Sequence, residues 1–499
     1  MLSIRTTVAI AAVAAALSAG IAQAKDQLVV DLVNEPSTLD PHMQWNPDSY
    51  YVYRNIFDNI VTRDNGGEIA PQVATEWNWL SDTELELTIR DGITFHDGEA
   101  LTADDVVYSV KRITDPELAS PQLGQFAAII DARKTADNKV VLTTDGPYPV
   151  LLAQLVKLSV VPEHVLATVS EQDFNANPIG SGPYKFETWD RGVSVTLDKN
   201  DDYWGDQGEF ETVEFMAVPD ASTRVANLRA GTADLIVSID SDQAMQLESA
   251  ANVKVLTAPT ERVAFMGMNT LVPPLDDPEL RRAAAMAVDR EGIALGLLGG
   301  GEQVVGQMAT SAHFGYVDGI DPIPYDPEQA AEIVAAKGDA AAVPMTFATS
   351  PVFDQRIVQA IQQMLNEAGF NVDIGLTDMA TYLKKAQNAD PEQRPQLNFG
   401  RWSCACQDVD GVAFPLLHSS SNWSRVNDPE LDALLENART TVDSDQRLED
   451  YARVAEIVRD NTYILPLYQA TALYGAADAL EWQPTANESM FLNRMSWSQ

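Results

Sequence analysis

Residues 70 to 110, APQVATEWNWLSDTELELTIRDGITFHDGEALTADDVVYSV, constrain the fold more than any other segment. Apolar and polar side chains alternate in its middle part, which is the pattern of a strand with one buried face. The apolar members of this alternation are Leu85, Leu87 and Ile89. Asp91-Gly92 marks a turn, and residues 93–95 are predicted to return as a short second strand. The segment is therefore predicted to contain a hairpin.

A helix is predicted to begin near the end of the same segment. Thr102 and Asp105 have the spacing of a capping box ahead of an apolar run, with Asp in place of the usual Glu or Gln. Strand-like and helix-like patterns then alternate along the chain without an internal repeat. This alternation predicts an α/β or α+β protein.

The first 24 residues have the features of a cleavable secretory signal. Arg5 is their only charge, residues 7–21 form a short Ala-rich apolar core, and Ala22-Gln23-Ala24 has the form of a cleavage site. A membrane anchor is the alternative interpretation, which the short apolar run disfavours. No Cys stands at the start of the predicted mature chain, which begins at Lys25, so we expect no lipid anchor. The prediction is a free periplasmic protein of a Gram-negative bacterium.

The formal net charge is −40 over 499 residues. A chain this acidic is repelled by nucleic acid and by anionic membrane surfaces, so neither is expected as a partner. The length is sufficient for two or three domains of ordinary size.

The only two cysteines are Cys404 and Cys406. In a strand, their side chains would share a face, and their Cα separation would be near the upper limit for a disulfide. A disulfide in an oxidising compartment and two buried thiols are both compatible with this spacing. A metal site is the weakest interpretation, because His418 is outside ligand spacing and the five histidines are not paired. We therefore predict no metal, nickel included, and no cofactor.

A series of motifs in order along the chain resembles the peptide-binding family of bacterial ABC-transporter solute receptors, solute-binding protein family 5. The motifs are AP-x-x-A-x-x-W at 70–77, F-x-DG and LTA-x-DV at 95–106, GSGPY at 180–184, NDDYW at 200–204, DDPELRRA at 276–283, YDPEQAAEIVAAKG at 325–338 and YILPLY at 463–468. The resemblance covers nearly the whole chain after the predicted signal.

The resemblance implies an α/β, two-lobed fold of the type II periplasmic-binding-protein kind, with an extra inserted α+β subdomain. Lobe one is expected at 25–66, 182–264 and 478–499, the inserted subdomain at 67–181, and lobe two at 265–477. Two crossing strands would join the lobes, the ligand would lie between them, and closure would be a hinge motion.

The family implies capture of a solute rather than turnover. The expected function is a monomeric periplasmic substrate-binding protein that delivers short peptides to the inner-membrane permease of an ABC importer. An enzyme is not expected, because Gly180-Ser181-Gly182 lacks the G-x-S-x-G spacing of a serine hydrolase. Two alternatives stay open: a chaperone-like or chemosensory receptor with the same site, and a non-peptide cargo such as an oligosaccharide, a sugar conjugate or an opine.

A peptide carries a cationic amine, which needs an acidic partner in a dry cleft. By resemblance, residues 399–410 are the ligand loop of the family, in which a Trp is followed by the acid that binds the amine. Asp408 lies six positions after Trp402, the spacing of dipeptide receptors, and is the first candidate; Asp410 is the second. The position three after Trp402, acidic in oligopeptide receptors, is Ala405. A turn carboxylate or a helix cap is the alternative for Asp408.

Four other residues are predicted to contact the ligand by resemblance. Glu35 is expected to accept hydrogen bonds from the ligand backbone, with an exposed loop charge as the alternative. Met266 and Met268 share a face of the predicted crossing strand, residues 262–270, and are expected to line the pocket or the core. Trp402 is expected to stack on the ligand, or to belong to the core.

One position departs from the family pattern. In dipeptide receptors, an Arg stands immediately before the Pro that opens the segment leading into the helix predicted at 354–368, and this Arg binds the peptide carboxylate. Here the residue before Pro351 is Ser350. Arg356 and Arg401 are candidates to replace it, although neither lies at the matching position. Strict dipeptide specificity is therefore not predicted.

Overall fold

The computed structural model describes residues 25–44 and 46–498, so the predicted signal peptide lies outside the described residues. The main element is a mixed sheet of eleven strands that extends through both lobes. Within the described part of the chain, no helix has the length and the apolar character that a membrane span needs.

Lobe one is built on one end of this sheet. Gln27–Leu32 lies between Thr212–Ala217 and Leu235–Ile236 and is parallel to both. Ser194–Lys199 and Tyr184–Asp190 extend the sheet in antiparallel pairing. The helices of this lobe are Pro47–Ile56, Ala221–Ala230 and Ser241–Glu248. The continuous apolar run of Gln27–Leu32 agrees with its position, because a parallel strand is covered on both faces.

Lobe two is built on the other end of the sheet. Pro344–Thr349 is parallel to both of its neighbours, Asn371–Leu376 and Leu397–Trp402. Asp354 caps helix Gln355–Glu367, and Gly369 follows it with a φ of 100°, as a glycine beyond a helix end permits. The other helices are Pro278–Ala287, Arg290–Leu297, Pro327–Lys337, Met379–Ala386, Asp410–Leu417, Pro429–Thr440 and Ser444–Asn461.

Two long antiparallel strands join the lobes, Val253–Met268 and Ile464–Ala477, and we call them the crossing strands. The register of their pairing shifts twice, across residues 260–262 and again between Ala264 and Phe265. An irregularity of this kind bends a strand and redirects its side chains. It brings Glu261 and Arg262 to the space between the lobes.

The inserted subdomain has its own four-stranded antiparallel sheet and its own hydrophobic core. The strand order is Ala74–Ser81, Glu84–Ile89, Lys139–Thr144 and Ile129–Ala136. The predicted strand with Leu85, Leu87 and Ile89 is confirmed, and all three side chains are buried.

The predicted hairpin return at residues 93–95 is wrong. Glu84–Ile89 already has a neighbour on each side, Ala74–Ser81 and Lys139–Thr144, so no edge is free for a third partner. Only an isolated bridge between Thr94 and Ala100 forms in this region.

The predicted capping box is confirmed at helix Ala103–Thr114. The Thr102 backbone amide donates to Asp105 Oδ2 at 2.8 Å, and the Thr102 side chain accepts from the first turn of the helix. The shorter carboxylate of Asp therefore replaces Glu at this position.

The domain limits given above remain a proposal. The limit at 66/67 falls within the turn of the hairpin formed by Val61–Arg63 and Ile69–Pro71. The limit at 477 lies at the lobe-one end of the second crossing strand, where Gly475 and Ala476 pair with Leu235–Ile236. We propose that each crossing strand is shared between the lobes.

Candidate ligand-binding cleft

A cavity of about 440 Å³ lies between the lobes, and we call it the central cavity. Its walls come from lobe one, the inserted subdomain, the first crossing strand, lobe two and the C-terminal segment. The lining residues are Pro47, Tyr50, Gly124, Gln125, Tyr148, Gln154, Lys157, Glu261, Arg262, Ser403, Cys404, Ala405, Asp410, Gly411, Pro415, Arg439, Asn487 and Glu488. A ligand that fills this space would therefore contact both lobes and the inserted subdomain.

Acidic and basic side chains are balanced in the central cavity. The acids are Glu261, Asp410 and Glu488, and the bases are Lys157, Arg262 and Arg439. Arg262 pairs with Glu488 at 2.8 Å, and Arg439 lies 3.5 Å from Asp410. Burial raises the pKa of Asp410 to about 6, and Arg439 partly opposes this shift. A cavity with both charges matches a zwitterionic ligand better than a singly charged one.

Glu261 is a buried acid of this cavity whose carboxyl group has unused hydrogen-bonding capacity. It is 5% exposed, and its Oε2 atom has no hydrogen-bond partner. Burial raises its pKa to about 8, although Arg262, Lys157 and Arg63 oppose the shift. Burial also lowers the pKa of Lys157 to about 7. The carboxyl group of Glu261 is therefore mainly protonated near neutral pH.

This raised pKa has a consequence for stability. The folded protein retains the Glu261 proton up to about pH 8, whereas an unfolded chain releases it near pH 4.5. We therefore expect the contribution of Glu261 to the free energy of unfolding to decrease as the pH rises from 5 to 7, and Glu261→Gln to remove this contribution from the pH dependence. The difference between the two proteins should change by up to about 1.4 kcal/mol per pH unit in urea titrations.

We limit the pH range to values up to 7 because of Lys157. Its lowered pKa makes its own contribution to the free energy of unfolding increase above pH 7, opposite to that of Glu261. Glu430→Gln is the matched control, since that side chain is 63% exposed. Equal pH slopes for the wild type and Glu261→Gln would contradict the prediction.

A second cavity, of about 310 Å³, opens on the lobe-two side and is named here the aromatic pocket. Its lining is dominated by aromatic and aliphatic side chains. The residues are Arg262, Phe265, Gly267, Met268, Val352, Phe353, Met379, Tyr382, Leu383, Asn398, Gly400, Arg401, Trp402, Leu416, Trp423, Arg425, Val426, Tyr463 and Ile464.

A third cavity, also of about 310 Å³, lies on the lobe-one side and is called the rear cavity. Its lining includes Tyr51, Asp240, Gln243, Thr260, Arg262, Arg401, Tyr474 and Glu488. Arg262 borders all three cavities, so the three form one cleft around the irregular part of the crossing strand.

Four of the predicted ligand residues border this cleft. Trp402 and Met268 line the aromatic pocket, Arg401 lines the aromatic pocket and the rear cavity, and Asp410 lines the central cavity. Met266 lies with Met268 in the lobe-two core and borders none of the three cavities. Ligand contact by these residues remains a proposal.

The structure gives Asp408 a different partner from the predicted one. Arg447 Nη2 lies 2.9 Å from both carboxylate oxygens, and the backbone amide of Asp410 donates to Oδ1 at 2.9 Å. Asp408 is 3% exposed and borders none of the three cavities. The carboxylate belongs to an ion pair within lobe two, because Ser444–Asn461 places Arg447 next to it.

Glu35 is also directed away from the cleft. Its Oε2 atom accepts hydrogen bonds from Trp189 Nε1 at 3.1 Å and from the backbone amide of Gly192 at 2.9 Å. It borders none of the three cavities. Glu35 therefore fixes a loop of lobe one in this structure.

Cys404 and Cys406 form a disulfide with a Cα separation of 5.1 Å. The interpretation as two thiols is wrong, and among the described residues no group of three potential metal ligands forms a site. A Cβ on Gly411 would overlap Cys404 Sγ, so only glycine fits beside the disulfide. Arg63 of lobe one donates to the Cys406 carbonyl at 2.6 Å, which connects this loop to the opposite lobe.

The most central residues of the cleft are not among the sequence predictions. Glu261 and Arg262 form an adjacent charged pair at the start of an apolar run, and that contrast is the one local signal for them. Arg425 and Lys157 have no comparable signal. Ser350, which stands where an Arg was expected, is buried with no hydrogen-bond partner for its Oγ atom.

Two lobes joined by paired strands around a charged cleft define a solute-binding protein of the type II periplasmic class. The chain belongs to the bacterial extracellular solute-binding proteins, family 5, whose middle-region model matches residues 68–424.

Known proteins of this class resemble the chain over most of its length. It is 26% identical to the probable di/tripeptide-binding protein 5 of Pseudomonas aeruginosa, over 84% of this chain and 85% of that protein. It is also 26% identical to heme-binding protein A of Haemophilus influenzae, over 87% of this chain and 84% of that protein. The structure of the ABC transporter substrate-binding protein CtaP from Listeria monocytogenes superposes with a TM-score of 0.86 at 22% identity, covering 96% of this chain and all of that one. The predicted family and fold class are confirmed.

Proposed function

We propose that the protein is a periplasmic binding protein of an ABC importer that captures short peptides in the central cavity and presents them to a membrane permease. The balance of three acids and three bases in that cavity is the observation that carries the proposal. A short peptide offers one ammonium and one carboxylate group at a spacing that a two-sided cleft can match. The relative named as a di/tripeptide-binding protein supports the same cargo.

The ligand amine is proposed to bind at Asp410 and Glu261. Asp410 borders the cavity and has only a 3.5 Å contact with Arg439, while Glu261 has an unpartnered carboxyl oxygen. A cation beside them would favour their ionised forms, so binding near neutral pH should release protons. Capture followed by hinge closure, rather than a chemical step on the ligand, would complete the cycle.

Native mass spectrometry of the purified mature protein, followed by denaturing release, tests the cargo directly. We expect a set of short peptides to co-purify, and Asp410→Asn to lose most of them because the ammonium group then has one charged partner fewer. Glu430→Gln, on an exposed helix, is the control and should retain them.

Two results would change the proposal. Retention of peptides by Asp410→Asn would exclude that carboxylate as the amine partner. A single non-peptide species would replace the peptide cargo with a sugar conjugate or an opine-like solute.

A further inference from the structure

The aromatic pocket differs from the central cavity in its charge. Arg262, Arg401 and Arg425 border it, and no acidic residue is among its lining residues. Arg262 is neutralised by Glu488 at 2.8 Å, whereas no described carboxylate lies within ion-pair distance of the other two. In a chain of net charge −40, this pocket is a local concentration of positive charge. Such a pocket attracts an anion.

Arg425 supplies the hydrogen-bond donors for such an anion. Its Nη1 donates to the Trp423 carbonyl at 3.1 Å, but Nε and Nη2 have no partner. The side chain is 6% exposed, and burial lowers its pKa to about 10, so it remains charged at neutral pH. Nε and Nη2 on one edge of a guanidinium have the spacing that binds a carboxylate through two parallel hydrogen bonds.

The walls of the pocket select what carries the anion. Trp402 and Trp423 meet edge to face with ring centroids 5.2 Å apart, and Phe353 and Tyr382 do the same at 5.8 Å. The free volume is about 310 Å³, and a dry protein cavity of about 150 Å³ already binds benzene. A substituted phenyl ring therefore fits, with its flat faces against aromatic side chains.

A carboxamide is the competing occupant. Asn398 borders the same pocket, and its Oδ1 atom also has no hydrogen-bond partner. A neutral amide could donate to Asn398 and accept from Arg425. The buried, unpaired charge of Arg425 favours the carboxylate, because a neutral group would leave that guanidinium without a counter-ion.

We infer that the aromatic pocket is a specificity subsite that takes an aromatic or apolar part of the ligand and binds a carboxylate group of the ligand through Arg425. The inference rests on the proposed function in that the ligand reaches the pocket from the cleft. The carboxylate could be a side-chain group or the main-chain terminus of a peptide, and the experiment separates the two.

The first test uses fragments and does not depend on peptide binding. Dissociation constants of 4-methylbenzoate and 4-methylbenzamide are measured by ligand-observed NMR on the unliganded full mature protein. We expect the benzoate to bind at least tenfold more tightly. Arg425→Met, which keeps the apolar stem, should reduce this ratio to below twofold, while Arg453→Gln, at an exposed site, should preserve it. Equal binding of both fragments, absence of binding, or tighter binding of the benzamide would overturn the inference.

The second test uses peptides and identifies the source of the carboxylate. Calorimetry compares Ala-Phe-Ala with the peptide carrying 4-carboxyphenylalanine, and each with its C-terminal amide. A tenfold preference for the side-chain carboxylate that Arg425→Met removes supports a side-chain subsite. A preference for the free C-terminus that the same variant removes supports main-chain recognition. Peptide binding with neither preference would overturn the inference and leave the proposed function intact. Selective binding of the benzoate without any peptide binding would support the carboxylate subsite and overturn the proposed peptide cargo.

Discussion

Asp408→Asn is expected to lower the free energy of unfolding by about 3 to 5 kcal/mol. The Asp408 and Arg447 side chains are 4% and 5% exposed, and they form the ion pair at 2.9 Å. Replacing the carboxylate leaves the guanidinium buried without a counter-ion, and the desolvation cost of that charge is no longer offset. Tryptophan fluorescence during urea unfolding measures the loss.

Two further variants test whether the loss of stability comes from the buried Asp408–Arg447 ion pair. Glu430→Gln breaks an exposed ion pair with Arg453 and should cost less than about 1 kcal/mol. The double variant Asp408→Asn with Arg447→Met should recover part of the stability, because it removes the unpaired charge. If Asp408→Asn instead keeps the stability of the wild type and loses peptide affinity, then Asp408 is the amine partner predicted from the sequence.

Arg262→Gln is expected to weaken peptide binding by about 30- to 100-fold, which corresponds to about 2 to 3 kcal/mol. Arg262 borders the three cavities and pairs with Glu488 at 2.8 Å. Its removal leaves Glu488 without this partner and leaves three acids against two bases in the central cavity. That imbalance disfavours the carboxylate end of a peptide.

Calorimetry with a peptide identified by native mass spectrometry gives the affinity. Arg282→Gln is the charge-matched control, because Arg282 is exposed on a lobe-two helix. This variant should bind the peptide as tightly as the wild type does. A double variant with Glu488→Gln should recover part of the lost affinity. An affinity of Arg262→Gln within threefold of the wild type would show that the Arg262–Glu488 pair is not part of the ligand site.

Features that depend on a few neighbouring residues were predictable from the sequence. The capping box of Thr102 and Asp105 is one, because both hydrogen bonds close within a single turn of helix. The strand containing Leu85 and Leu87 is another, because alternation alone places those side chains on one face. The order of such motifs along the chain was sufficient to identify the family and its two-lobed fold.

Features that depend on partners distant in sequence were decided by the tertiary structure. The sequence placed Asp408 in the right loop, but Arg447, 39 positions later, determines where its carboxylate points. The register shift between the crossing strands brings Glu261 into the cleft, and no pattern within one strand specifies that shift. Arg425 borders the aromatic pocket because separate segments of lobe two meet there. Spacing along the chain specifies local hydrogen bonds, whereas the orientation of a buried charge depends on which distant group offsets its desolvation.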